Sequence, residues 1–319
     1  SINKNLSITF NGEVYNYQEL KYKYLSQYKF LTVSDTEVIL NGYRKFGLNI
    51  FSQLNGMFAV CIVDKDKFIL ARDRMGIKPL YYKINSNQFI FASEIKALVG
   101  NKEKWGIHDD YKLFETLPGN KTLYNNIYEV PPGSFLIYDG YKIEIQNYWD
   151  IKKISYSTTN KTQNECIDEL RYLIHDAVNI RKPAMPFGVS ISGGLDSAII
   201  ACISKPDFLF SSVTKIKKLD EEKYCDYLGK HLQIPVIKIY PNKNNFIETL
   251  PELIKCMDTP TTTLAAFPMY LLAKEASKYV KILMTGQGAD ELFGGYIRHV
   301  LIYIEYIKKY APELNNYKS

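Results

Sequence analysis

The chain has 319 residues, 46% of them hydrophobic, and its 40 Lys and Arg against 34 Asp and Glu give a formal net charge of +6. At ~100–200 residues per domain this length accommodates two domains with cores of their own. The mild charge is scattered and not blocked, which excludes a basic nucleic-acid-binding arm. No apolar run approaches the ~20 residues that span a bilayer, and no secretory signal opens the sequence, so a soluble cytoplasmic protein with neither nucleic-acid nor membrane partner is expected.

The five cysteines are widely spaced and include no CxxC pair, so structural zinc is not expected. An odd count without a framework fits a reducing compartment. Cys61 and Cys202 stand in apolar runs and are expected in the core. Lys215, Lys217 and Lys218, the densest basic cluster, are expected to be a solvated loop.

Leu6 to Phe10 alternates as a strand and runs into Asn11-Gly12, a turn signal. Apolar positions at helical spacing predict a helix over 17–29, and Asp35-Thr36-Glu37 caps a second one reaching about Phe46. Gly56 to Asp64 reads as a buried strand, with Lys67 to Arg72 as its hairpin partner. Leu80 to Ile84 and Phe89 to Ala92 form another pair. Pro131-Pro132-Gly133 is a turn before a hairpin of Phe135 to Tyr138 and Tyr141 to Ile145. Apolar periodicity lapses over 150–163, which places a linker there and predicts domains at 1–150 and 160–319.

Beyond an amphipathic helix from Asn164 to Asn179, strands at 187–191, 209–214, 234–239 and 280–284 alternate with helices at about 195–203, 220–231, 246–256 and 267–278. Such alternation predicts a doubly wound parallel α/β domain, whose ligands bind at the carboxyl ends of strands.

Ser192-Gly193-Gly194-Leu195-Asp196-Ser197 lies at one such end. Strand, glycine-rich turn and helix start make an anion cradle, because free N–H groups and the helix dipole converge on the turn. Ser192 and Ser197 bring hydroxyl donors, and Asp196 brings a carboxylate for Mg²⁺ beside phosphates. The pattern is neither Walker A nor GxGxxG; it resembles the pyrophosphate loop of ATP pyrophosphatases. A capped structural turn is the plain alternative. A second glycine-rich run, Thr285 to Tyr296, follows another strand about 90 residues later. Asp290 within it could share a metal with Asp196, or simply serve a helix N-terminus with Glu291.

In this order SGGLDS, PMYLL (Pro268 to Leu272) and TGQGADELFGGY (Thr285 to Tyr296) resemble the synthetase domain of asparagine synthetases. NGEVYNYQEL (Asn11 to Leu20), SDTEVIL (Ser34 to Leu40), LNGMFA (Leu54 to Ala59), ARDRMGIKPLYY (Ala71 to Tyr82) and FASEIKAL (Phe91 to Leu98) resemble the glutaminase domain of the same enzymes. The resemblance spans about residues 6–300.

It implies an α/β protein: a partial N-terminal-nucleophile glutaminase domain of stacked antiparallel sheets, then a doubly wound ATP-pyrophosphatase domain. It also implies glutamine hydrolysis in the first and, in the second, adenylation of the aspartate side chain followed by amidation with ammonia. The implied small molecules are ATP, aspartate and glutamine or ammonia, with Mg²⁺ as cofactor; a second copy or a complementing chain is the expected protein partner. Asn11 and Gly12 match the oxyanion pair, and Asn11, Gly12, Glu13 and Asp35 match the glutamine site. Ile191, Ser192, Gly193, Gly194, Asp196, Ser197, Val213, Thr285 and Gly286 match ATP-binding positions, and Asp196 and Asp290 match the magnesium carboxylates.

The chain also departs from the family. It starts at Ser1, in a segment that aligns inside the family's first domain, and lacks the matching cysteine nucleophile and an arginine that holds glutamine; as written it is expected not to hydrolyse glutamine. It stops soon after Ile307, short of helices that cover the family's cleft, so a fragment, a split gene or a decayed copy is expected. Gln287 occupies a catalytic position where many members carry glutamate, and an amide cannot act as a base. Leu264 falls where some members carry an arginine. A relative that closes a β-lactam or amidates another carboxylate, and a non-catalytic nucleotide-binding remnant, are the alternatives.

Overall fold

The structure is a computed structural model that describes residues 6–85, 88–100, 104–114, 116–154, 160–214, 221–260 and 263–310. Two compact units divide the chain: Ser1–Asn160 with Met257–Thr262, and Lys161–Cys256 with Thr263–Ser319.

The first unit is built on a five-stranded antiparallel sheet ordered β1-β2-β3-β7-β8. Its strands are β1 (Leu6–Val14), β2 (Gly56–Asp64), β3 (Lys67–Arg72), β7 (Ser134–Tyr138) and β8 (Ile143–Asn147). A smaller sheet, ordered β5-β4-β6, comprises β4 (Tyr81–Asn85), β5 (Gln88–Ala92) and β6 (Ile127–Glu129). Strand alternation sorts the core into layers. Phe58, Val60 and Ile62 of β2 join Ile69 and Ala71 of β3 against α1 (Tyr17–Tyr24), α2 (Asp35–Phe46) and α3 (Ile50–Gln53), through Leu20, Val38, Ile39 and Phe51. Ala59, Cys61, Leu70 and Leu136 point the other way, onto Leu80, Tyr82 and Val130 under the smaller sheet. The architecture is therefore helices on a sheet on a sheet. A short helix, α4 (Asp109–Phe114), lies outside these layers.

In the second unit α5 (Gln163–Asn179) opens with a capping box, the Thr162 side chain and Glu165 exchanging bonds with each other's backbone. The four-stranded parallel sheet is ordered β11-β10-β9-β12. It comprises β9 (Gly188–Ser190), β10 (Phe208–Ser212), β11 (Val236–Ile239) and β12 (Leu283–Met284). One face packs Val189, Ile191 and Leu209 with Ala201 of α6 (Leu195–Ser204) and Cys225 of α7 (Glu222–Leu232). The other packs Phe210 with Leu272 and Ala276 of α9 (Ala266–Ala276). Helices on both faces make the unit doubly wound. The remaining helices are α8 (Lys243–Met257), α10 (Ala289–Phe293) and α11 (Ile297–Tyr310).

Several sequence expectations need correction. Asn11-Gly12 is not a turn: β1 runs through it to Val14 in nine-residue register with β2. Pairing with the long hydrophobic β2 outweighs a local turn preference. The first helix stops at Tyr24 and not at 29, since Leu25 leaves the helix and buries itself in the core. Asp35 is the first helical residue; the cap is Ser34, whose side chain accepts from the Thr36 N–H. Cys202 is exposed, because Ala201 and Ser204 take the inward face of α6. The strand expected over 234–239 begins only at Val236, Pro235 contributing just its carbonyl, which accepts from the Leu209 N–H. The strand expected over 280–284 is reduced to Leu283–Met284, since Val280 packs under α9. The cluster Lys215, Lys217 and Lys218, and part of the expected linker, fall outside the described residues.

Candidate functional site

Two groups of candidate residues exist, one in each unit.

In the first unit Gly12 faces Phe58 across β1 and β2. The Phe58 N–H donates to the Asp73 carboxylate at 3.1 Å and its carbonyl accepts from the Asp73 N–H at 2.9 Å. Both polar groups of Phe58 thus turn toward β3. In an antiparallel ladder the residue opposite turns its own groups the other way, so the Gly12 N–H points off the edge of β1 that has no strand partner among the described residues. Val14 obeys the same alternation: its N–H leaves the edge and donates to Asp35 Oδ2 at 3.0 Å. Asn11 and Glu13 share the exposed face of β1, and Asn11 Nδ2 donates to Ser93 Oγ at 3.2 Å. One strand edge therefore gathers a backbone donor, a side-chain amide and two carboxylates, Glu13 and Asp35.

Gly12 is required by geometry. Its φ is +150°, and a Cβ built there would meet the Met57 carbonyl oxygen at 2.1 Å and the Phe58 Cα at 2.7 Å.

Two buried charged residues stand at the end of β3. Asp73 is 1% exposed, and besides Phe58 it accepts from the N–H groups of Met75, Ile77 and Lys78 at 2.9–3.1 Å. Arg72 donates to the carbonyls of Gly76, Lys78 and Val130 and pairs with Glu129 at 2.6 Å. The signal was Asp-x-x-Gly directly after a strand, a side-chain-closed turn.

In the second unit β9 has β10 on one side and β12 on the other. The chain order runs outward from β9 through β10 to β11 and then crosses over to β12. The gap between β9 and β12 is thus the topological switch point, where open α/β sheets bind ligands. Both glycine-rich runs leave the sheet there. After Ile191, the Ser192 N–H donates to Ser197 Oγ at 3.2 Å, the two hydroxyls lie 3.3 Å apart, and the Gly194 N–H donates to Ser192 Oγ at 3.3 Å. Ser197 Oγ is also 3.2 Å from the Gly194 carbonyl. Gly194 is the N-cap residue of α6 and supplies no side-chain cap, so N–H groups of the first turn stay available to an anion. Gly193, at φ +84°, has Glu221 and Tyr224 as near neighbours.

Thr285 and Gly286 follow β12, and Gly286 presses on the start of α6: a Cβ there would lie 2.9 Å from the Ser197 nitrogen. The structure thereby brings the two runs together. Val213 is buried at the end of β10, its N–H donating to the Ile239 carbonyl at 2.8 Å. Asp290 lies in α10, its Oδ1 beside Gly295. Among the described residues no protein hydrogen bond or ion pair engages the carboxylates of Asp196 or Asp290, and no group of three or more His, Cys, Asp or Glu is gathered. A carboxylate without protein partners is a ligand type that Mg²⁺ takes, since that ion completes its shell with phosphate and water oxygens. Gln287 and Leu264 are both exposed. The Glu291 carboxylate, held below the usual range by backbone N–H groups and by Tyr296, accepts from the Tyr296 hydroxyl at 2.9 Å.

The fold is thus an antiparallel layered unit followed by a doubly wound unit with a glycine-rich loop at its switch point. Residues 1–149 match the glutamine amidotransferase domain family and residues 169–314 the asparagine synthase family. The chain belongs to the glutamine-hydrolysing asparagine synthetase family. A putative asparagine synthetase of Methanocaldococcus jannaschii is 34% identical over 95% of this chain and 61% of its own length. Asparagine synthetase 1 of Bacillus subtilis is 36% identical over 91% of this chain and 47% of its own. Asparagine synthetase B of Escherichia coli is 31% identical over 91% and 52%. The chain thus spans about half to three-fifths of the relatives it matches. Among solved structures, glutamine phosphoribosylpyrophosphate amidotransferase from B. subtilis is 17% identical over 78% of this chain and 51% of that one, with a TM-score of 0.35. No helix among the described residues is long and apolar enough to cross a membrane.

Proposed function

We propose that the chain carries the ATP site and part of the glutamine site of a cytoplasmic asparagine-forming ligase, with a glutaminase domain at 1–150 and a synthetase domain at 160–319. The observation that carries this reading is the meeting of Gly286 with the start of α6 at the switch point, which sets Asp196 and the Ser192 loop beside the second glycine-rich run.

Ser192, Gly193, Gly194 and Ser197 would hold the β- and γ-phosphates through N–H and hydroxyl donors, while Ile191, Val213, Thr285 and Gly286 line the nucleotide. Mg²⁺ bound by Asp196 and Asp290 would neutralise the phosphate charge. The side-chain carboxylate of aspartate attacks the α-phosphorus and pyrophosphate leaves. Ammonia then attacks the acyl carbon, AMP departs, and the extra proton passes to solvent. The loop donors stabilise the leaving pyrophosphate, which is where negative charge accumulates. Gln287 can position a group by hydrogen bonding but cannot take that proton. In the first unit, the Gly12 N–H and the Asn11 amide would stabilise an oxyanion, with Glu13 and Asp35 meeting the glutamine ammonium group.

ATP–pyrophosphate exchange on the purified chain tests the reading. Aspartate-dependent exchange supports it. Exchange with a different carboxylic acid keeps the ATP chemistry and reassigns the acceptor, as the exposed Gln287 and Leu264 would suit. Absence of exchange with any acid overturns it.

A further inference from the structure

We propose that Asp73 is a positioning residue of the glutamine site, setting the place of Gly12 through the Met57–Phe58 backbone. The proposal rests on the reading of Asn11 and Gly12 as an oxyanion pair and adds a residue that makes no contact with the substrate.

The chain of contacts is short. Gly12 is pressed on the Met57 carbonyl and the Phe58 Cα, so its position along the edge follows that peptide. On its far side, among the described residues, the peptide bonds to Asp73, and in an unusual way. Beyond Arg72, where β3 ends, a regular ladder would pair the Phe58 N–H with the carbonyl of the residue opposite. Here the side chain of that residue takes the N–H instead, at 3.1 Å. The Asp73 carbonyl is thereby freed to accept from the N–H groups of Gly76 and Gly133 at 3.1 and 2.8 Å.

One carboxylate therefore binds four backbone donors: Phe58 on β2, and Met75, Ile77 and Lys78 on the following loop. A buried carboxylate with all its acceptor sites occupied is rigid, and removing one oxygen strands buried donors. The neighbouring backbone is clamped as well: the Tyr148 hydroxyl donates to the Arg72 carbonyl at 2.7 Å, and the Arg72 guanidinium spans three carbonyls. The loop is fixed from both sides and passes that fixity to the strand behind Gly12. Oxyanion donors act through their exact placement, since displacement of a few tenths of an ångström weakens the developing-charge interaction.

The experiment uses the full chain with L-glutamate as the probe, since it carries the α-amino and α-carboxylate groups of glutamine. Affinity is measured by calorimetry, and the Gly12 amide is followed by NMR through its chemical shift and hydrogen exchange. Asp73→Asn is expected to weaken glutamate at least tenfold and to shift the Gly12 amide, while Asp139→Asn, which removes only the charge from a side-chain-capped turn at an exposed hairpin, changes neither. If Asp73→Asn does not fold, Tyr148→Phe loosens the same loop and is expected to move the Gly12 amide and to weaken glutamate two- to fivefold. An unmoved Gly12 amide in a folded variant overturns the proposal. If the parent chain binds no glutamate, the glutamine-site reading fails, and the Gly12 amide still reports whether Asp73 positions it.

Discussion

The two candidate sites are held in place by different kinds of interaction. The edge of β1 is fixed by partners distant in sequence: Val14 by Asp35, Asn11 by Ser93, and Gly12 by the Met57–Phe58 backbone that Asp73 anchors. The hydrogen bonds of the loop after β9 are local, joining Ser192, Gly194 and Ser197 within six residues, while Gly286, Glu221 and Tyr224 pack around it. The first arrangement gives rigid donors that no local change can retune. The second closes a small hydroxyl network on itself and leaves the N–H groups of the first helical turn for a ligand. The contrast suits the proposed chemistry, in which an oxyanion needs donors in place beforehand and a triphosphate meets N–H groups at a helix start.

Substitutions should expose this difference. The largest effect is expected from Gly12→Ala, which places a methyl 2.1 Å from a backbone oxygen at φ +150°. It should destabilise the first unit by roughly 3 kcal/mol and lower its Tm by about 10 °C in a thermal melt. An unchanged Tm would mean that β1 is not pressed on β2.

Asp196→Asn should act on the ligand and hardly at all on the fold, since its carboxylate has no protein partner among the described residues. Mg–ATP affinity is expected to fall at least tenfold, with Tm unchanged within about 2 °C. Equal affinity in parent and variant would remove Asp196 from the metal site.

Ser197→Ala sharpens the comparison from the other side. The residue is 5% exposed and its hydroxyl serves the Ser192 N–H, so a stability loss of about 1 kcal/mol by denaturant titration is expected, together with weaker ATP. A neutral substitution would show that the hydroxyl network does not order the loop.

The smallest effect concerns pH in the first unit. Burial, then the hydrogen bond to Asp64, pushes the Tyr43 hydroxyl up to about 12. The folded state keeps a proton that the unfolded chain loses near pH 10. The resulting stability is complete below about pH 10 and is lost as pH rises through about 12. Tyr43→Phe should flatten that alkaline fall in urea midpoints measured from pH 8 to 12; an identical slope would show that other groups govern it.

Much of this was legible in the sequence, for reasons that particular residues make clear. Strand β2, its hairpin with β3, and helices α5 to α9 follow from apolar periodicity that tertiary contacts reinforce. The Ser192 loop was readable because its hydrogen bonds are local. Asn11-Gly12 was misread as a turn, because nothing local announces that Gly56, Met57 and Phe58 will lie against it. Asp73 was quoted only as part of a motif, since its four backbone partners come together when β2, β3 and the following loop meet. Cys202 looked apolar by its neighbours, and only the phase of α6 turns it outward. Sequence thus reveals loops that bond within themselves and conceals the supports assembled across strands.

The central claim is that the loop of residues 192–197 receives the pyrophosphate end of ATP. Calorimetric titration of the full chain with Mg–ATP, repeated in excess inorganic pyrophosphate, tests it most directly. Saturable single-site binding that pyrophosphate displaces is the predicted result. Absence of binding, or binding that pyrophosphate leaves untouched, would contradict it.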